Sequence, residues 1–324
     1  MEVSVVIVCM NRPDYLYPCL ESIRDHTSVS CEVWVVAYRF SEDNLSRLKA
    51  DWPGVRIVES RELRGFSENN NLALRQVTGK YCFIVNDDTF FSTPVIDALV
   101  ADFDRLPGKV AAVSPKICFP DGRVQTCGRG PWNAWRWMKH YLHLVDETRK
   151  TPWTMQEGLF RTYTLNGACF LIRTDRFREA GWFDETYTFT PEDIALGHRL
   201  NGLGYEVWTD ADVTLFHRAG GTVSRMETAI KPTRVAGALS FYGDTKIKRS
   251  MLACYVWFIE ALRGLKYRFT DRSDPKGRNA IMYGTARNVR RIVFDRRTPK
   301  EIFRNTLTPC KDETAETACR DRDI

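Results

Sequence analysis

The chain opens on an apolar run, Val3 to Cys9, and similar runs return at Val33-Trp34-Val35-Val36, Val55-Arg56-Ile57-Val58, Tyr81 to Val85 and Val110-Ala111-Ala112-Val113. Runs of this kind predict strands covered on both faces, as in a parallel sheet. Between them the apolar spacing becomes helical. Leu16, Leu20 and Ile23 follow a break at Asn11-Arg12-Pro13, Leu45 and Leu48 come next, and Gly65 to Val77 and Val95 to Leu106 complete the set. Strands alternating with helices at this interval predict βαβ units and an α/β fold with a mostly parallel central sheet, of the nucleotide-binding kind.

Residues 129–160 break the rhythm with Trp132, Trp135, Trp137 and Trp153 among basic residues. They read as an insertion over one face, whose tryptophans serve as core, as a platform for a sugar ring or as a lipid contact. Alternation resumes with Tyr163 to Ile172 and Phe177 to Phe183, and Pro191-Glu192-Asp193 then opens a helix through Leu200. Tyr205 to Trp208 and Val213 to Phe216 predict two short strands, the second ending on His217.

Beyond Gly221 the character changes. Met251 to Leu262 is an apolar helical stretch, preceded by Lys246, Lys248 and Arg249 and followed by Arg263, Lys266 and Arg268. It is shorter than the ~20 residues that cross a bilayer. It suits a helix lying in a membrane interface, and equally one packed on the first domain or on a second subunit. The expected organisation is an α/β domain over 1–221, a helical basic extension over 222–310, and a disordered polar tail over 311–324.

Charge sharpens this division. Residues 231–304 hold 18 Lys and Arg against 6 Asp and Glu, so with an overall charge of +6 the rest of the chain carries −6. A basic C-terminal segment points to an anionic partner, either a membrane surface or a phosphorylated acceptor. No recognisable nucleic-acid module accompanies it, so nucleic acid is not expected as a partner. The N-terminus lacks a basic flank or cleavage site, so it reads as a first strand rather than a signal peptide. None of the 10 cysteines forms a C-x₂-C pair, which predicts reduced thiols in a cytoplasmic protein.

The chemistry concentrates at Asn86-Asp87-Asp88-Thr89, where a buried strand ends abruptly in two carboxylates. Adjacent buried carboxylates repel and lose hydration, so they need compensation. A divalent cation carrying a phosphorylated ligand supplies it, and oxygen ligands suit Mg²⁺ or Mn²⁺. An Asx-type turn without metal is the plainer alternative. Glu192-Asp193 likewise fits a helix start on capping and dipole grounds alone.

Taken in order, Cys9-Met10-Asn11-Arg12, Gly65-Phe66-Ser67-Glu68-Asn69-Asn70-Asn71, Asn86-Asp87-Asp88-Thr89, Asn166-Gly167-Ala168, Gly181-Trp182-Phe183-Asp184-Glu185, Glu192-Asp193 and Leu215-Phe216-His217 form a set. Over residues 3–221 this set resembles the inverting GT-A glycosyltransferases of family 2, most closely the rhamnosyltransferase-like members. The resemblance implies a GT-A fold and transfer of one sugar from a nucleotide-sugar donor to a saccharide or lipid-linked acceptor in cell-surface glycan synthesis. It implies Asp88 and His217 as ligands of Mn²⁺ or Mg²⁺, and Asp193 as catalytic base. Glu192 and Trp182 are implied on the acceptor side, and Asn11, Arg12, Tyr38, Arg64, Asn86 and Asp87 along the nucleotide and donor. The working place would be the cytoplasm, at the inner face of a membrane, with a homo-oligomer left open.

The sequence also departs from the family. Val36-Ala37-Tyr38 lacks the acid usual after the second strand, where Tyr38 could stack on the base, and Ile194-Ala195-Leu196 lacks a second Asp. No Gln-x-x-Arg-Trp follows His217, which argues for single addition rather than processive synthesis. Two alternatives stand beside this reading. A sugar-phosphate nucleotidyltransferase would want a Gly-rich basic loop where Asn11-Arg12-Pro13-Asp14 stands; an inactive nucleotide-sugar-binding scaffold would tolerate Ala37 and Ala195.

Overall fold

The computed structural model describes residues 1–145, 152–219, 227–269 and 278–307. The first elements are β1 (Val3–Cys9), α1 (Pro13–Asp25), β2 (Cys31–Tyr38), α2 (Glu42–Asp51), β3 (Arg56–Ser60), α3 (Phe66–Leu74) and β4 (Tyr81–Asn86). Next come β5 (Thr89–Phe90), α4 (Val95–Arg105), β6 (Val110–Cys118), β7 (Val124–Thr126), α5 (Ala134–Tyr141) and β8 (Leu159–Thr162). They are followed by β9 (Cys169–Arg173), α6 (Thr174–Glu179), α7 (Glu192–Gly202) and β10 (Glu206–His217). The last are α8 (Glu227–Tyr242), α9 (Lys246–Phe269), α10 (Arg278–Ile292) and α11 (Pro299–Leu307). The chain divides into two compact units, Met1–Glu185 with Thr190–Ser224, and Thr186–Phe189 with Arg225–Ile324. The tail expected over 311–324 lies outside the described residues.

The first unit is built on a mixed sheet in the order β3-β2-β1-β4-β9-β6-β10-β5, with β7 on β6 and β8 on β10. The strands from β3 to β4 are mutually parallel, and so are β6 and β10. β9 runs antiparallel between β4 and β6. The alternation of side chains explains why the strands are apolar throughout. Val5, Ile7, Phe83, Val85 and Leu171 face one layer with α1, α2 and α4. Val6, Trp34, Val36, Ile84 and Phe170 face the other, with α3, α6 and α7. Each such side chain taken from water contributes about 1.5–3 kcal/mol, so a polar residue on either face would be costly.

The stretches expected as two strands near residues 205–216 form one, β10. A register shift between Asp210 and Thr214 lets both halves pair with β6, and Asp210 Oδ1 accepts the Asp212 N–H at 2.8 Å across the irregularity. A bulge absorbs the polar Asp210-Ala211-Asp212 segment without ending the strand. Within the insertion, Trp132 and Trp137 are buried while Trp135 is exposed.

The second unit is helical. Leu239 of α8, Val256 of α9, Val289 of α10 and Phe303 of α11 are buried in it. Glu260 is fully buried and takes Lys231 Nζ at 3.1 Å and Arg263 NH1 at 2.6 Å, which ties α8 to α9. No helix among the described residues is long and apolar enough to cross a membrane.

The turn into β4 is set by Gly79. Its N–H donates to Ser4 Oγ at 2.8 Å, and a Cβ there would stand 2.6 Å from the Ser4 backbone nitrogen. Backbone cannot yield cheaply, so Gly79→Ala should cost about 1–3 kcal/mol in a denaturant titration. Gly54→Ala, where nothing lies within 4 Å, should change stability by less than about 1 kcal/mol. Equal stability of the two variants would show that the close approach at Gly79 is not formed.

Candidate active site

Parallel pairing of β1 to β4 opens their carboxyl ends on one edge, where ligands bind in α/β sheets. Two further strands bring chemistry there. β9 is reversed, and its Val85↔Cys169 pairing carries the preceding loop, Asn166-Gly167-Ala168, to the same edge. β10 ends there as well, and its antiparallel pairing with β5 sets His217 opposite Thr89, directly beside Asp88.

The first centre is Asp87, Asp88 and His217. Both carboxylates are buried, and Asp87 is pushed up to about 7 by burial and then by the charge of Asp88. Asp87 Oδ2 is buried without a hydrogen-bond partner among the described residues. His217 Nε2 lies 3.0 Å from Asp88 Oδ1, and its Nδ1 lies 2.9 Å from Gln125 Oε1. An amide oxygen only accepts, so Nδ1 is the donor to Gln125, and Nε2 is the ring nitrogen that faces the carboxylate. Thr89 Oγ1 donating to Asn86 O at 2.8 Å and Arg218 N–H donating to Asp88 O at 3.0 Å pin the turn.

An imidazole nitrogen facing a carboxylate, beside a second buried carboxylate with an orphaned oxygen, is an arrangement that a divalent cation fits. Among the described residues no group of three or more His, Cys, Asp or Glu forms a closed metal cage. A two-ligand site suits a cation that keeps open positions for a phosphorylated ligand. Gln125 was not legible as part of the site. It orients the imidazole in the manner of an outer-shell partner, and only the packing of β7 against β6 brings it there.

The second centre is Asp193. Its Oδ2 accepts from Arg129 NH1 at 2.8 Å and from Gly167 N–H at 3.2 Å, and its Oδ1 accepts from Ile194 N–H at 2.7 Å. Asp193 stands inside the first turn of α7, whose N-cap is Pro191 with no side-chain cap bond, and it is held from outside the helix. Arg129 is the residue that sequence reasoning missed. Its NH1 also donates to Leu165 O at 2.7 Å, and its main chain is clamped by Thr162, whose hydroxyl bonds both the Arg129 N–H and its carbonyl. Gly128 precedes it at φ +69 with the Phe160 ring packed where a Cβ would stand, so glycine is required there.

The loop between β8 and β9 joins the two centres. Asn86 N–H donates to Ala168 O at 3.0 Å, and the adjacent Gly167 N–H reaches Asp193. Glu192 Oε1 and the Asp193 side chain flank the same glycine.

The remaining expected residues fall differently. Arg12 lies close enough to Asp87 to ease its charge, while its guanidinium is bound by Asp14. Asn11 accepts from Ser41 N–H and Asn44 Nδ2 and so fixes the loop after β1. Arg64 and Tyr38 sit together at the ends of β2 and β3, with the Tyr38 hydroxyl accepting the Arg64 N–H at 3.3 Å. Tyr38 is only 5% exposed, so little of its ring is left for a base to stack on. Trp182 packs edge-on to Phe177 at 5.2 Å, and its carbonyl accepts from Arg199. Those contacts hold it on the α6–α7 side of the sheet.

The Glycosyl transferase family 2 model matches residues 4–173, more than half of the chain. The O-antigen biosynthesis protein RfbC of Myxococcus xanthus is 28% identical over 233 residues, which are 71% of this chain and 18% of that one. An N-acetylglucosaminyl-diphospho-decaprenol L-rhamnosyltransferase of Mycobacterium tuberculosis is 28% identical over 190 residues, 53% of this chain and 61% of that one. The chain thus spans less than two thirds of the length of either curated relative. The mannosyltransferase PcManGT of Pyrobaculum calidifontis, solved with GDP-Man and Mn²⁺, superposes with a TM-score of 0.53 at 15% identity, covering 91% of this chain and 88% of that one. With a GT-A fold, two acidic centres on the carboxyl edge of its sheet and a family match over residues that include Asp87 and Asp88, the chain belongs to glycosyl transferase family 2.

Proposed function

We propose that the protein transfers one sugar, with inversion, from a nucleotide-diphosphate donor to a saccharide or lipid-linked saccharide. The observation that carries this reading is the pair of centres held on either side of Gly167-Ala168, with Asn86 bonded to one residue and Asp193 to its neighbour. A donor whose diphosphate lies at Asp88 and His217 would present its sugar towards Asp193. A Mn²⁺ or Mg²⁺ ion held by Asp88 and His217 would stabilise the negative charge of the departing nucleoside diphosphate.

The chain's own residues supply the rest. Inverting transfer is one in-line displacement: the acceptor oxygen bonds the anomeric carbon as the bond to the diphosphate oxygen breaks. The acceptor's proton passes to the Asp193 carboxylate, acting as general base. Arg129, Gly167 and Ile194 fix that carboxylate in one orientation; Oδ2 accepts two of these bonds and Oδ1 only one, so Oδ1 keeps a lone pair for the acceptor hydroxyl. Glu192, buried beside Gly167, would line the acceptor side. Arg12, near Asp87, would face the donor's phosphates. The names of the relatives support a lipid-linked saccharide and surface polysaccharide as the acceptor class. Such an acceptor would bring the enzyme to the membrane face that anchors it.

Asp193→Asn keeps size and polarity but cannot take the proton, so transfer should fall by about 10²–10⁴-fold with nucleotide binding unchanged. Near-wild-type turnover would remove the base assignment and make Glu192 the next candidate. At the other centre, Gln125→Ala leaves both ligands in place but frees the imidazole. Half-maximal activation by Mn²⁺ should then need about 10–100-fold more metal, with full activity restored at saturation. Undiminished transfer by the wild-type protein in EDTA would rule out the metal.

A further inference from the structure

The α9 helix carries an apolar face that the fold leaves in solvent. Leu252, Val256 and Glu260 mark its buried side. At 3.6 residues per turn, Ile247, Met251, Phe258, Leu262, Leu265 and Phe269 fall within an arc of about 60° on the side facing away from these. These residues are between 51% and 78% exposed. The stripe runs the whole length of the 24-residue helix, about 36 Å.

Its borders are cationic and aromatic. Lys248, Tyr255 and Lys266 lie along one side, and Lys246, Trp257 and Arg268 along the other. The single acid of α9, Glu260, is on the buried side, so the outward face of the helix carries no carboxylate. At the N-terminal end of the stripe, beside exposed Phe294, Lys246, Arg249, Arg296 and Arg297 line an open cavity of about 580 Å³. Arg297 is paired with Asp295, and Arg249 donates to the Asp295 carbonyl. Among the described residues, no carboxylate pairs with Lys246 or Arg296.

We propose that the outward face of α9 docks on an anionic phospholipid bilayer, with a lipid phosphate in the basic cavity. An apolar stripe between cationic borders, with Tyr and Trp at its margins, has the layout of a helix that lies in the interface plane. Charge decides between a bilayer and a second copy of the chain. Pairing two such faces would bring Lys and Arg borders together, with the Asp244 carboxylate at the helix start already paired with Lys248, whereas an anionic surface attracts the cationic borders. The proposal rests on the lipid-linked acceptor only for its purpose, since docking needs neither donor nor acceptor.

The test is sedimentation of the full chain with vesicles of mixed phosphatidylglycerol and phosphatidylcholine, and with vesicles of phosphatidylcholine alone. Binding is expected on the anionic vesicles, weakening as salt rises. Phe258→Glu with Leu262→Glu should lower it more than about tenfold without changing the melting temperature, because both side chains stand in solvent. Lys246→Glu with Arg296→Glu should lower it by about tenfold or more, with the apolar stripe intact. Equal sedimentation with both vesicle types, or wild-type binding by the stripe variant, would overturn the proposal. A dimer that the stripe variant dissolves, with no vesicle binding by wild type, would assign the face to a second copy instead.

Discussion

Adjacent carboxylates at the end of a buried strand repel one another, and the edge around Asp87 and Asp88 is arranged against that repulsion. Burial holds the Asp87 carboxyl near neutrality, and Arg12 lies close enough to ease its charge. Asp88 is met by an imidazole that the β5–β10 pairing delivers across the edge and that Gln125 orients. Each of these partners comes from a different part of the chain. The cost of placing two acids there is met by tertiary structure, and on the proposed function a cation bound with a diphosphate would complete it.

The second consequence is a fixed relation between this centre and Asp193. β9 runs against its neighbours, so the loop before it, rather than the loop after it, reaches the carboxyl edge. One backbone segment then bonds Asn86 through Ala168 O and Asp193 through Gly167 N–H. Main-chain hydrogen bonds on a strand-anchored loop vary less than side-chain contacts. On the proposed function this would give the donor and acceptor sides a common ruler, the positional accuracy that a displacement between two substrates needs.

Much of this was legible from residues. Val3 to Cys9 and Tyr81 to Val85 read as central strands because both their faces are covered, and Pro191-Glu192-Asp193 read as a helix start because acids favour one. Strand direction was not legible: Cys169 to Ile172 is as apolar as β4, and periodicity carries no sign of orientation. The polar Asp210-Ala211-Asp212 separated two expected strands because polar residues interrupt an apolar run in the same way at a bulge as at a strand end. Arg129 sat in a tryptophan-rich insertion, and nothing local marks its pairing with Asp193 across the fold. For α9, the apolar content was visible, but which side of the helix faces out depended on where Leu252 and Val256 packed.

The claim that Asp88 and His217 bind a cation together with a nucleoside diphosphate is tested most directly by the electron paramagnetic resonance of Mn²⁺. The free aqua-ion signal is followed as protein is added with and without uridine, guanosine or thymidine diphosphate. The account predicts weak loss of signal with protein alone and strong loss when one of the nucleotides is present, the difference vanishing in His217→Ala. Nucleotide binding of equal strength with Mn²⁺ and with EDTA would contradict it.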